Sequence, residues 1–223
     1  MLSPLVIAID GPSGSGKSST ARQVAARLGL AYLDTGSMYR AIALGCLAGG
    51  LLDDPAGITG FTQRATLALG TDPAGPTVAL NGVDVTGEIH APEVSARVSV
   101  VATIQPVRDI LTAQMRCIVE AARRIVVEGR DITTVVCPGA AVRVLLVADE
   151  AARMARRQAQ IGGGLTADEL HDQVVRRDRD DATVSQFDTP APGVTLIDST
   201  GLSLPQVVDA VIALVPPALL PPS

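Results

Sequence analysis

The 223-residue chain contains one lysine; the other seventeen of its eighteen basic residues are arginines. This excludes the N-K-x-D base-reading motif of switch GTPases, because the one lysine, Lys17, belongs to a different pattern. Tryptophan is absent, and only two Phe and two Tyr occur, so the core is expected to consist mostly of Ala, Val, Leu and Ile. The three cysteines, Cys46, Cys117 and Cys137, are far apart, odd in number and form no C-x-x-C. That is the usage of small buried hydrophobes in a reducing compartment, not of a disulfide scaffold. His90 and His171 have no partners at metal-ligand spacing and are expected at the surface. With a net charge of −5 there is no basic field, which argues against nucleic acid as a partner. No apolar run reaches the length of a membrane span; residues 210–220 come nearest and are broken by Pro216-Pro217. The first strand begins within about five residues of the N-terminus, leaving no room for a signal peptide. The expectation is a soluble, cytoplasmic monomer.

One stretch stands out against this background. Gly11-Pro12-Ser13-Gly14-Ser15-Gly16-Lys17-Ser18, followed by Ser19, fits G-x-x-x-x-G-K-[ST], the phosphate-binding loop. The apolar run 5–9 leads in as a strand. Residues 18–28 lead out as a helix, with Ala21, Val24, Ala25 and Leu28 at i, i+3, i+4, i+7. Glycines let successive N–H groups curl toward phosphate oxygens, and a helix N-terminus adds partial positive charge. The spacing assigns Lys17 to the β- and γ-phosphates of a nucleotide and the Ser18 hydroxyl to Mg²⁺. Composition replaces lysine by arginine everywhere else, yet the position that needs a compact ammonium keeps it.

Behind the loop, strands and helices alternate. Residues 31–33 read as a strand ending at Asp34, 37–47 as a helix, and 58–69 as a further helix with Phe61, Ala65, Ala68 and Leu69 on one face. Asn81-Gly82, between 77–80 and 83–86, is a hairpin signal and marks a small antiparallel insertion. Helices follow over 92–102 and 106–124, the second opened by Pro106. Residues 125–127 and 142–147 are buried-type strands, ending in Glu128-Gly129-Arg130-Asp131 and at Asp149. An Arg-rich helix over 151–161 precedes Gly162-Gly163-Gly164, and Thr166 with Glu169 forms a capping box for the next helix. Residues 194–197 are the last strand and 203–215 the last helix. These elements predict an α/β fold, a five-stranded parallel sheet flanked by helices. Ligands in such folds bind beyond the strand C-terminal ends, where Asp10, Asp34, the Glu128–Asp131 turn, Asp149 and Asp198 fall.

A phosphate-binding loop identifies a nucleotide, not a reaction. Asp54-Pro55-Ala56-Gly57 matches the D-x-x-G switch pattern but follows no strand. Transfer between two phosphates requires cations on both phosphate sets. Arg40, Arg108 and Arg130 are placed for this, as are Arg153, Arg156 and Arg157 on one helix and Arg176, Arg177 and Arg179 beyond the glycines. Arg153, Arg156 and Arg157 form a like-charge stripe that is unfavourable unless something anionic neutralises it. Two Arg-rich helices hinged on three glycines resemble a lid. A kinase for a nucleoside monophosphate or for a metabolite such as shikimate fits these features; so does an acceptor-independent regulatory ATPase.

Several longer stretches narrow the choice. They are Ile-Asp-Gly-Pro-Ser-Gly-Ser-Gly-Lys-Ser at 9–18, Tyr-Leu-Asp-Thr-Gly-Ser-Met-Tyr-Arg at 32–40 and Leu-Asn-Gly-Val-Asp-Val-Thr-Gly-Glu-Ile at 80–89. Val-Arg at 107–108, Glu-Gly-Arg-Asp-Ile-Thr-Thr-Val-Val at 128–136, Arg-Arg-Asp at 176–178 and Leu-Ile-Asp-Ser-Thr at 196–200 follow in order. Across nearly the whole chain the sequence resembles the bacterial cytidylate kinases, P-loop nucleoside monophosphate kinases. The resemblance implies phosphoryl transfer from ATP to CMP or dCMP with Mg²⁺. It implies a core of about 1–60, 103–150 and 190–223, a monophosphate-binding insertion of about 61–102 and a helical lid of about 151–189. It places Thr35, Arg40 and Arg130 at the acceptor phosphate, Ser99, Arg108 and Asp131 at the cytosine, and Arg177 and Asp181 at lid-side and sugar contacts. Arg153 and Arg157 become lid arginines at the transferring group. Two positions depart from the family pattern: Val184 stands where an arginine usually follows Asp181, and His90 where an arginine often follows Ile89.

Overall fold

The computed structural model describes residues 3–161, 179, 183 and 189–220. The glycine triplet 162–164, the capping box at Thr166, and His171, Arg176, Arg177, Asp181 and Val184 lie outside them. Five strands form one parallel sheet: β1 (Leu5–Asp10), β2 (Ala31–Asp34), β6 (Arg124–Gly129), β7 (Val142–Val147) and β8 (Thr195–Asp198), in the order β2-β6-β1-β7-β8. Every neighbouring pair is parallel, so each connection crosses over the sheet, as parallel strands require. The side-chain period of two separates the core into two layers. Leu5, Ile7 and Ile9 are buried on the face covered by α1 (Lys17–Leu28) and α7 (Leu204–Ala213). Ala8, Ile125 and Val127 are buried on the other face with Met38 and Ile42 of α2 (Thr35–Ala48) and Leu111 and Met115 of α5 (Gln105–Ala122).

A second, three-stranded antiparallel sheet is built from β3 (Leu67–Leu69), β4 (Val78–Leu80) and β5 (Val83–Asp84). Asn81 (φ 51°) and Gly82 (φ 82°) both take positive φ, as a two-residue hairpin turn between right-twisted strands demands. The helix expected over 58–69 is corrected here. α3 (Pro55–Arg64) stops early, and Leu67–Leu69 hydrogen-bonds to β4 in the register Leu67↔Leu80. A three-residue apolar run has too little length for its periodicity to separate helix from strand, and the free edge of the hairpin decides. Asp54 is the N-cap of α3, accepting from the Ala56 N–H at 3.1 Å, which accounts for the D-x-x-G match.

α4 (Pro92–Ala102) follows the expected bounds, whereas α5 ends at Ala122 because Arg123 takes φ 59° and Arg124 opens β6. Burial raises the Cys46 and Cys137 thiols to about 11. Cys117 lies on the outward side of α5 and is exposed, so the expected burial fails for it. The loop after β3 folds back on the core: Thr71 O accepts the Tyr32 N–H at 2.8 Å, and Arg22 donates to Pro73 O (3.1 Å) and Ala74 O (3.4 Å). Among the described residues no helix is long and apolar enough to cross a membrane.

Where β1 meets the phosphate-binding loop, the backbone passes very close to β7. A Cβ on Gly11 would lie 2.2 Å from Leu146 O and 2.8 Å from Ser15 Oγ. The Leu146 carbonyl belongs to β7, so Gly11→Ala must displace backbone. Urea denaturation is expected to show a loss of about 1–3 kcal/mol for that variant; an unchanged midpoint would contradict the close approach.

Candidate active site

The donor half of the site is the loop between β1 and α1. Gly14 and Gly16 take φ 77° and 90°, and Gly16 is the N-cap of α1 without any side-chain cap bond. The helix N-terminus is thus left to the cleft, as an anion site requires. The loop carbonyls are engaged by the protein's own cations. Arg130 donates to Gly11 O (2.8 Å), Lys17 to Pro12 O (3.4 Å), Arg153 to Ser13 O (3.0 Å) and Arg156 to Ser15 O (3.2 Å).

Next to the loop lies a carboxylate that the sequence places at the ligand end of the sheet without a role. Glu128, at the end of β6, is buried and accepts from Ser18 Oγ at 2.7 Å and Tyr32 OH at 3.3 Å. Burial, and then the nearby Asp34 carboxylate, raise its pKa to about 7, against the pull of Lys17 and Ser18. In the sequence Glu128 is only an acid at a strand end; its role appears once β6 lies beside β1, placing it across from the start of α1. Thr35 Oγ1 donates to Glu128 O at 2.8 Å, and Asp34 caps α2 by accepting from the Ser37 N–H and hydroxyl.

The acceptor half is fixed to the donor half through Asp10. Its carboxylate accepts the Ile132 N–H (2.8 Å), the Thr133 N–H (2.8 Å) and the Thr133 hydroxyl (2.7 Å). Burial raises the Asp10 carboxyl above its ordinary value, and these three bonds offset part of that cost. They hold the π-helical turn Ile132–Val136 at the mouth of the sheet, with Arg130 and Asp131 just before it. Asp131 forms a half-buried ion pair with Arg108, whose guanidinium also donates to Ala102 O at 3.1 Å. Gly129 must be glycine: a Cβ there would stand 2.4 Å from Thr35 Oγ1. Arg40 is buried and donates to Ser95 Oγ at 2.8 Å. Ser95 was not anticipated; Ser99, one turn further along α4, is half-buried.

These groups share one cleft of about 1120 Å³, at the upper end of the range for single small-molecule pockets. Residues 13–20 line one side, and Thr35, Arg40, Arg108, Arg130 and Asp131 the other, with Arg157 present on α6 (Glu150–Ile161). Arg153 instead reaches the outer, carbonyl side of the loop. His90 sits exposed at the rim, where partial burial and then Arg40 hold its imidazole below the ordinary value. Ser19 lines the cleft; Gly11 and Pro12 stand behind it, under Arg130 and Lys17. Arg177 and Asp181 lie outside the described residues.

Asp10→Ala strips two buried N–H groups of their acceptor. It should lower unfolding free energy by about 1–3 kcal/mol in urea, with Asp10→Asn, which keeps one acceptor oxygen, losing less. Equal losses from the two variants would show that the carboxylate does not hold the 132–136 turn.

Comparisons with known proteins agree with this geometry. The cytidylate kinase family model matches residues 7–217. The cytidylate kinase of Cutibacterium acnes is 59% identical over 219 residues, covering 97% of this chain and 98% of its own. That of Nocardia farcinica is 45% identical over 212 residues, covering 92% and 91%. Among solved structures, an uncharacterized protein from Eubacterium ventriosum superposes with a TM-score of 0.54 at 12% identity, covering 94% of this chain and 96% of that one, a likeness of fold alone. A family match over almost the entire length, with relatives this similar, shows that the chain belongs to the cytidylate kinase family.

Proposed function

We propose that this chain transfers the γ-phosphoryl group of ATP to CMP and dCMP, producing ADP and CDP or dCDP. One observation carries the reading: the phosphate-binding loop and the Arg40, Arg108, Arg130 and Asp131 cluster open into the same cleft. A regulatory ATPase has no need of the second cluster. Family membership supports the cytosine nucleotide over other acceptors.

A phosphate oxygen of CMP attacks the γ-phosphorus, and the bond to the β,γ-bridging oxygen breaks, releasing ADP. The attacking oxygen is already anionic, so no strong general base is needed, and catalysis is alignment with charge neutralisation. Lys17 and the loop N–H groups 13–19 hold the donor phosphates. Thr35, Arg40 and Arg130 hold the acceptor phosphate in line. Arg108 and Asp131, locked to each other, offer a donor and an acceptor in fixed relation to the cytosine edge, and Ser99 is assigned there by sequence position. Arg177 and Asp181 are assigned to the acceptor by sequence position. Arg157 belongs to a lid of about 151–189 that closes over the transferring group and excludes water. Arg153, bonded to Ser13 O, ties the start of that lid to the donor loop, and the monophosphate-binding insertion is about 61–102.

The residues present fit Mg²⁺. The Ser18 hydroxyl and the Glu128 carboxylate lie 2.7 Å apart, an all-oxygen pair of the type this ion accepts. Ser18 would ligate it and Glu128 would orient that ligand; bound there with ATP, Mg²⁺ would neutralise charge on the phosphate chain.

The activity is tested by measuring ADP release from Mg·ATP with AMP, CMP, dCMP, UMP, GMP and shikimate in turn. Stimulation by CMP and dCMP above the rest is expected; acceptor-independent hydrolysis would overturn the proposal. Lys17→Met should lower kcat by about 10²–10³-fold, the usual cost of removing one preorganised charge from a transition state, with an unchanged circular dichroism spectrum. Arg40→Gln should raise KM for CMP far more than KM for ATP in steady-state kinetics. Equal increases would remove Arg40 from the acceptor side.

A further inference from the structure

The helix that carries Arg153 and Arg157 also carries Arg156, which the reaction as described does not use. Arg156 Nη1 donates to Ser15 O (3.2 Å) and to Ser199 Oγ (2.9 Å), and Nη2 donates to Ser199 O (2.6 Å). Ser199 follows β8 and is buried. Its hydroxyl oxygen lies 3.1 Å from Ser15 O and 2.9 Å from Val147 O, and its N–H donates to Val147 O at 2.8 Å. One guanidinium and one hydroxyl therefore join three elements: α6, the end of β8 and the phosphate-binding loop.

We propose that Arg156 and Ser199 are positioning residues for ATP, a clasp that fixes the Ser15 carbonyl and thereby aims the Gly16 N–H into the phosphate site. The inference rests on the reading of residues 11–18 as the ATP site. The peptide between Ser15 and Gly16 is planar and trans, so its C=O and N–H point in opposite directions. Holding the carbonyl outward turns the N–H inward. Gly16 sits at φ 90°, where glycine alone moves freely. The flanking peptides are held by the Ser15 N–H to Pro12 O (3.3 Å) and the Thr20 N–H to Gly16 O (2.9 Å), and the carbonyl of this one is held by the clasp. The planar fork of arginine can hold two acceptors at a fixed angle, which a lysine ammonium cannot. The arrangement also accounts for part of the like-charge stripe: Arg153 and Arg156 each donate to a loop carbonyl, whose dipole offsets part of the repulsion. Contact between α6 and the loop is direct, since a Cβ on Gly14 would stand 2.7 Å from Arg153 O. The first turns of the lid segment and the donor loop thus share a joint. Its effect falls on ATP and not on CMP, because neither clasp residue touches Arg40, Arg108 or Asp131.

The test uses the full chain and two measurements. Binding of the non-hydrolysable analogue AMP-PNP with Mg²⁺ is followed by calorimetry without acceptor, and KM for ATP and CMP by steady-state kinetics. Arg156→Gln should weaken the analogue and raise KM for ATP by about tenfold, the weight of one charge-assisted hydrogen bond, with KM for CMP within about twofold. Arg156→Lys should fall between wild type and Arg156→Gln. Ser199→Ala should act in the same direction, and the double variant should be no worse than Arg156→Gln, because the two act as one unit. Thermal melting identifies any variant that fails to fold, in which case Arg156→Lys and Ser199→Ala decide. Unchanged analogue binding in folded variants, or a parallel rise in both KM values, would overturn the clasp. Failure of the wild type itself to bind the analogue would instead sink the ATP reading on which the clasp rests.

Discussion

The site depends on one buried carboxylate. Asp10 ends the central strand, and in the next residues the chain leaves the sheet as the phosphate-binding loop. Its two oxygens take the N–H groups of Ile132 and Thr133 and the Thr133 hydroxyl. Through these bonds the loop that faces the donor and the turn that carries Arg130 and Asp131 become one rigid unit. An in-line transfer between two anionic substrates demands that the two phosphate sets be held in fixed relation. A carboxylate buried in the sheet is costly, and its raised pKa records that cost. The bonds it makes are the reason the fold tolerates it.

Around that anchor the loop has two differently used faces. The inward face is backbone N–H, suited to phosphate oxygens. The outward face is backbone C=O, and it attracts cations of the protein's own: Arg130, Lys17, Arg153 and Arg156 each reach a different carbonyl. The arginine-rich composition is thus partly structural. A loop that concentrates positive potential on one side leaves negative potential on the other, and the guanidinium groups balance it. Arg130 belongs to both accounts, since it lines the cleft while donating to Gly11 O.

Much of this was legible in the sequence where a local rule had enough residues to act on. The loop motif, the flanking strand and helix, the Asn81-Gly82 hairpin and the strands at 142–147 and 194–197 rest on patterns of four or more residues, while the strands at 31–33 and 125–127 rest on three apolar residues ending in acidic or polar turns. The strand at Leu67–Leu69 was not legible, because three apolar residues satisfy both periods and the edge of a distant hairpin decides between them. Arg40 and Arg130 could be assigned to the site from their place after strand ends, yet Ser95, which holds Arg40, could not. Glu128 is the clearest case. As a residue it is one acid among many; it meets Ser18, 110 residues earlier in the chain, only because β6 lies beside β1. Arg156 likewise looks like its neighbours Arg153 and Arg157 until Ser199 is beside it.

The return of residues 71–74 onto the core has a meaning apart from the cleft. β2 is the border strand of the parallel sheet, with β6 on one side only. A border strand presents backbone donors and acceptors that another copy of the chain could extend into a growing sheet. Here the Tyr32 N–H on that border is already taken by Thr71 O, and Arg22 holds the neighbouring segment in place through Pro73 O and Ala74 O. Proline at 73 and 76 removes two backbone donors that a partner strand would need. The same loop that leads from the first insertion strand to the second therefore closes off a route to aggregation.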